Sequence, residues 1–329
     1  MKAKRTGEAH EAVQRGGGPA AAPAPTFLAL IPPNPGIDFI KLSPGMLVLS
    51  AVLIGLSLAL LVYRGGLNYG IDFAGGTMVE VRFPQPVATS DVRAALGQAD
   101  LRGATVQDIG GGSTDFQVRV QGGETEMGSA VADDVRRGLQ AKFGEGSFDV
   151  LRVEAVGPKV GRDLWRRALL AVLASTVVMG VYLWVKFNFG FGIGAAVALL
   201  HDVVITVGAL ALIHLEFDLT TVAALLTVVG FSVNDTVIIF DRIRETRARL
   251  RKEPLETVAN LAINETLSRT VITSGTAIAV TACLLTLGGA VIHGFAFTLL
   301  AGFVIGTYSS IFVATPVVLA IERRRGHRR

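Results

Sequence analysis

The chain lacks much of what a soluble enzyme of its length would carry. Of its 329 residues one is cysteine, five are histidine and only 18% are charged, against about 25% charged residues in an ordinary soluble domain. A single cysteine, Cys283, excludes a disulfide framework and any multi-thiolate zinc or iron–sulfur centre. The low charge, set against 50% hydrophobic residues and a mean hydropathy of +0.51, excludes both a mostly disordered chain and a single soluble globule. What remains is a membrane protein.

Apolar windows of the roughly 20 residues needed to cross about 30 Å of hydrocarbon occur six times, at about 46–62, 168–185, 190–213, 219–240, 270–288 and 295–321. The apolar excess is therefore concentrated in six spans. Lys and Arg number five before the first span, thirteen over 64–167, one (Lys186) between spans two and three, seven over 242–269 and five over 323–329. Short loops decide orientation under the positive-inside rule. Both termini, the Lys186 turn and the 241–269 loop are therefore expected to be cytoplasmic, with residues 64–167 extracytoplasmic. The thirteen basic residues of that insertion face fourteen acidic ones. Such a balance suits a solvated domain and gives no basis for nucleic-acid binding.

Residues 1–36, with Gly16-Gly17-Gly18 and a Pro-Ala run, read as a disordered cytoplasmic tail. No secretory signal is expected ahead of the first span, because that span lies too far in and has no small-residue cleavage site. Residues 37–63 then form an interfacial segment and the first span, and 323–329 a basic cytoplasmic tail.

The insertion alternates between periods. Val79, Val81 and Phe83 share one face of a strand over 77–83, Thr89 or Ser90 can cap a helix to Gln98, and strands follow at 104–109 and 116–120. A helix over 125–143 and a strand over 148–156, whose phase slips at Leu151, complete a βαββαβ order, the ferredoxin-like arrangement. The domain contains no His or Cys, so it reads as a binding or moving part and not a catalytic one. The glycine-rich turn 70–77 ahead of it serves backbone geometry.

Ionisable groups inside hydrocarbon are functional candidates by default, because each costs at least about 2.5–3.5 kcal/mol to insert. His201 and Asp202 lie in span three, Asn234 and Asp235 in span four, and Arg269 opens span five. Asp235 and Arg269 approach from the same side and are expected to meet between spans four and five. A carboxylate alternately protonated and paired with arginine is a proton-binding switch. The plainer alternative is a permanent buried pair, with His201 and Asn234 as interhelical hydrogen-bond donors and acceptors. Glycines 190, 192, 194, 302 and 306 permit close helix approach, Pro316 is expected to kink span six, and 255–267 reads as an amphipathic interfacial helix.

These residues carry a resemblance. The turn Gly70-Ile71-Asp72-Phe73-Ala74-Gly75-Gly76-Thr77, the stretch 156–161, Leu200-His201-Asp202, 230–237 around Asn234-Asp235, 240–245, and Asn264 through Arg269-Thr270 resemble the SecF family of protein-export membrane proteins, in order over about 37–321. The resemblance implies a half-transporter of the resistance-nodulation-division type, with six transmembrane helices and a P1-like extracytoplasmic domain. It implies pairing with SecD beside the SecYEG channel, with YajC and YidC as further partners and an unfolded polypeptide as cargo. It also implies use of the proton motive force at late stages of translocation across the cytoplasmic membrane. Asp235 and Arg269 match the family's membrane aspartate and arginine. Asp202 and Asn234 complete the expected proton pathway, and no cofactor, metal or covalent catalysis is implied.

Three rivals remain open on sequence: a half-exporter of small molecules or lipids, a passive assembly factor of the channel, and an intramembrane aspartyl protease. The last requires two carboxylates about 3 Å apart sharing a proton, whereas helical rise separates Asp202 and Asp235 in depth by about 9 Å.

Overall fold

The computed structural model describes residues 35–99, 101, 103–109, 112–120, 128–289 and 291–326. The amino-terminal tail reading over 1–34, the start of the 125–143 helix and the last three residues of the basic tail lie outside them. Six helical stretches are long and apolar enough to cross a membrane. They are α1 (Phe39–Tyr63), α5 (Pro158–Lys186), α6 (Phe189–Leu212), α7 (Leu219–Arg249), α8 (Leu255–Leu287) and the stretch from α9 (His293–Ser309) into α10 (Thr315–Gly326). Several starts are fixed by local chemistry. The Asp38 carboxylate accepts the Lys41 amide at α1, the Asn188 side chain accepts the Gly190 and Phe191 amides at α6, and Pro158, which has no amide proton to lose, opens α5.

The helices form an inner and an outer set. The most apolar windows of α6, α7 and α9–α10 are 56%, 56% and 50% buried, against 11–17% for α1, α5 and α8. The second set presents its apolar side chains outward, as lipid or a partner helix requires.

Between α1 and α5 lie β1 (Asn68–Tyr69), the short helix α2 (Ile71–Ala74), β2 (Gly76–Arg82), α3 (Thr89–Gln98), β3 (Thr105–Asp108), β4 (Asp115–Val120), α4 (Gly128–Phe143) and β5 (Asp149–Val156). The antiparallel sheet runs β3-β4-β2-β5, the strand order of the ferredoxin-like fold, and α3 and α4 pack on it over Val79, Val81, Val92, Leu96, Phe116, Val135 and Leu139. Glu80 pairs with Arg152 and Val81 with Val150, so Leu151 is the extra residue of a bulge, where the periodicity slips. The α3 cap differs from expectation: Thr89 lies inside the helix, Ala88 holds the capping position, and no side chain caps it.

Three further readings are corrected and one unforeseen pairing is added. The expected 241–269 loop is almost wholly helical, since α7 continues to Arg249 and α8 begins at Leu255. Only residues 250–254 join them. The 255–267 stretch is not a helix on the membrane surface but the first turns of α8. Its Ala259, Ala262, Ile263 and Leu267 are buried in the main core of the bundle, in the same cluster as Phe240 and Ile243 of the α7 extension. The kink expected at Pro316 is a π-helical turn over Ser310–Ala314 immediately before it, which accommodates a residue that clashes with the preceding turn. Finally, the short connection between α6 and α7 contains β6 (Glu216–Phe217), which pairs parallel with β1. This link is invisible to periodicity because each strand has two residues.

Candidate functional site

Two polar clusters lie in the apolar bundle, and they share no hydrogen bond. In the first, Asp235 of α7 is fully buried. Its Oδ2 accepts from Ser274 Oγ of α8 at 2.8 Å, while Oδ1 has no partner. A buried carboxylate oxygen left unsatisfied is costly, so this atom is poised to take a proton or a cation. Arg269 stands five residues before Ser274 on α8 and is exposed. Its charge reaches Asp235 electrostatically, but among the described residues no ion pair joins the two. The expected meeting is therefore unmade in this conformation, with Ser274 occupying the place given to Arg269. Asn234, adjacent in sequence, is exposed on the outer face of α7, because neighbouring helical residues point about 100° apart.

The second cluster centres on Asp202 of α6, also fully buried. Its Oδ1 meets His201 Nδ1 at 2.9 Å, and its Oδ2 accepts from Ser232 Oγ at 2.6 Å and Ser309 Oγ at 2.8 Å. His201 Nε2 lies 3.1 Å from Ser50 Oγ of α1, Ser50 lies 3.0 Å from the Tyr308 hydroxyl, and that hydroxyl donates to the Met46 carbonyl at 2.6 Å. One chain of hydrogen bonds thus ties α1, α6, α7 and α9. Asp202 has both oxygens satisfied and Asp235 has one free, so the two aspartates differ in what they can do chemically.

Sequence reasoning missed Ser50, Ser232, Ser274, Ser309 and Tyr308. A membrane serine usually returns its hydroxyl to its own helix, as Ser43 does to the Phe39 carbonyl at 2.9 Å. Nothing in the local sequence separates that habit from a bond across helices.

A third feature joins the ferredoxin-like domain to the bundle. Gly75 and Gly76 adopt φ of 76° and 127°, conformations that disfavour side chains. They turn the chain back so that a Cβ on Gly161 would lie 2.8 Å from the Phe73 carbonyl. Asp72 Oδ2 accepts the Leu219 amide at 3.0 Å and Asp218 accepts that of Thr221 at 2.7 Å, so the glycine turn helps cap the helix carrying Asp235. Tyr69, Phe73, Trp165 and Phe217 pack edge-on or tilted around it, with centroids 5.2–6.5 Å apart. Arg119 of β4 forms an ion pair with Glu216 of β6. Burial lowers the Arg119 pKa from its ordinary value, and the nearby Asp218 charge opposes that.

Two family models match the chain. One, described as protein export membrane protein SecD/SecF, C-terminal, covers residues 137–324, and the other, described as the SecD/SecF GG motif, covers 65–87. The protein translocase subunit SecF of Magnetococcus marinus is 46% identical over 287 residues, 87% of this chain and 92% of that protein. The corresponding subunit of Vibrio alginolyticus is 40% identical over 291 residues, 88% and 91% respectively. Among solved structures, SecDF of Thermus thermophilus, a translocon-associated membrane protein, is 34% identical with a TM-score of 0.79. The match covers 89% of this chain but only 40% of that longer one.

Proposed function

The chain belongs to the SecF family of protein translocase subunits, and we propose on that footing that it pairs with a SecD-type subunit to draw exported polypeptides across the cytoplasmic membrane at the expense of the proton gradient. The observation carrying this reading is the divided environment of Asp235, with Ser274 on one oxygen and the other free. In the proposed cycle the protonated carboxyl rests on Ser274, and the ionised form recruits Arg269 from five residues away on the same helix. The exchange shifts α8 against α7. Moving one charge through 100 mV is worth about 2.3 kcal/mol, so one or two protons suffice for a domain displacement of a few kcal/mol.

The termini and the α7–α8 turn are assigned to the cytoplasm and the ferredoxin-like domain to the far side, on the basic residues of the short connections. In this scheme the SecYEG channel is the neighbour that delivers the chain, with YajC and YidC as accessory partners. No covalent chemistry is involved. Asp202, fully hydrogen-bonded, holds the bundle together and His201 connects it to α1. Asn234, facing outward, is assigned to the seam with the SecD-type subunit.

The test is gradient-stimulated export in inside-out vesicles. Asp235→Asn is expected to assemble with its partner and lose the stimulation by an imposed proton gradient, while export driven without a gradient is unchanged. Normal gradient stimulation in that variant refutes the switch.

A further inference from the structure

Beside the α1–α5 seam, near the ferredoxin-like domain, the bundle carries a groove of about 220 Å³ that no part of the proposed cycle uses. Leu58 and Leu61 of α1 form one wall, Trp165 and Leu169 of α5 the other, and Val203 and Val207 of α6 the floor. All its lining side chains are apolar. At the depth of a membrane span such a surface is filled by hydrocarbon.

Its rim is cationic. On α5, Arg162 stands three residues before Trp165, seven before Leu169 and ten before Val172, on the same stripe of the helix and about one turn nearer the soluble domain. Arg166 and Arg167 follow, and all three arginines are exposed with no acidic partner among the described residues. On α1, Arg64 stands three residues beyond Leu61. It uses one guanidinium nitrogen to reach the Leu212 carbonyl at the end of α6, at 3.1 Å, leaving its other N–H groups free. Across the stretch 158–170 the only acid is Asp163, against Lys159 and the three arginines. Tyr69 and Trp165, 5.2 Å apart at the groove's upper end, mark the depth at which aromatic side chains meet headgroups. Arg162 and Arg64 therefore lie at phosphate level and the groove at acyl level, while Arg166, level with Trp165, has a stem long enough to carry its charge up to the phosphates.

From this juxtaposition we infer that the α1–α5 groove is a binding site for an anionic phospholipid, one acyl chain in the groove and the phosphate held by Arg162, Arg166 and Arg64. Arginine suits the role because its planar fork binds phosphate oxygens in pairs and it loses hydration readily. The site is independent of Asp235 and Arg269, so its failure leaves the proton switch untouched.

Native mass spectrometry of the full chain, released from nanodiscs of equal phosphatidylglycerol and phosphatidylcholine, reads the preference. The expected result is severalfold enrichment of retained phosphatidylglycerol. Arg162→Gln with Arg166→Gln, both surface changes, should bring retention to the phosphatidylcholine level. Leu169→Trp, at the groove's exposed rim, should reduce retention of both lipids. Equal retention of the two lipids by the unaltered chain overturns the inference, as does enrichment that survives the double arginine change. Competition by inorganic phosphate as effective as by the lipid would reduce the site to the rim alone and also overturn it. A photoreactive residue at Leu58 that crosslinks translocating polypeptide in place of lipid would assign the groove to cargo and refute the lipid.

Discussion

Asp202 and Asp235 each sit near the middle of adjacent helices, yet their partners give them different environments. Both oxygens of Asp202 are engaged, so its removal takes a partner from His201, Ser232 and Ser309 at once. Interhelical hydrogen bonds in membranes are worth about 0.6–2 kcal/mol each, and Asp202 makes two of them, to Ser232 and Ser309, beside the bond to its helix neighbour His201. Asp202→Leu is expected to lower the unfolding temperature in mild detergent by far more than Asp202→Asn, which keeps an acceptor and adds a donor. Equal thermal shifts for the two would show that shape, not hydrogen bonding, is what the site requires. Arg269→Met makes the complementary test: an exposed residue should leave unfolding unchanged while gradient stimulation of export is lost. The burial of Asp202 and Asp235 inside the bundle was legible in the sequence, because charge stands out against an apolar background. The replacement of Arg269 by Ser274 as the partner of Asp235 was not, because it depends on the rotation of α8 relative to α7, and periodicity fixes a helix without fixing its rotation.

At the level of elements, most of the fold followed from pattern. The six spans and the βαββαβ order rest on hydropathy and period-2 alternation, signals that repeat along the length of an element. What failed was what lies between patterns. The charges of the α7–α8 connection mask its helical register in the sequence, although Ile243 and Thr246 are buried as α7 continues. Close helix crossing, by contrast, followed from composition. A Cβ on Gly194 would lie 2.6 Å from Val318 Cγ2, and one on Gly302 would overlap Val228. Gly302→Ala should therefore cost about 1–3 kcal/mol through overpacking, seen as a lower unfolding temperature. Because the obstruction is a side chain, Val228→Ala in the same molecule should recover most of the loss. A double variant no more stable than Gly302→Ala alone would place the strain in the backbone of the α7–α9 crossing.

For the molecule as a whole, the proposed switch at Asp235 requires a route along α7 to the ferredoxin-like domain. Glu216 precedes the α7 cap Asp218 by two residues, β6 pairs with β1, and Asp72 from the glycine turn accepts the first amide of α7. Arg119 extends this junction into the sheet through its ion pair with Glu216, the two side chains being 12% and 20% exposed. Removing one partner of a largely buried pair leaves the other charge without compensation in a poorly solvated site, so either single change at this junction is expected to loosen the domain from the bundle. Arg119→Glu should broaden the distance distribution between spin labels on α4 and on the α6–α7 connection, and should weaken gradient-stimulated export without touching Asp235. Glu216→Arg alone should do the same. Combining them restores an ion pair in reverse, and the distribution should narrow again. If both single variants keep a narrow distribution, the glycine turn and its aromatic cluster hold the domain unaided, and the coupling runs through Asp72 and the start of α7.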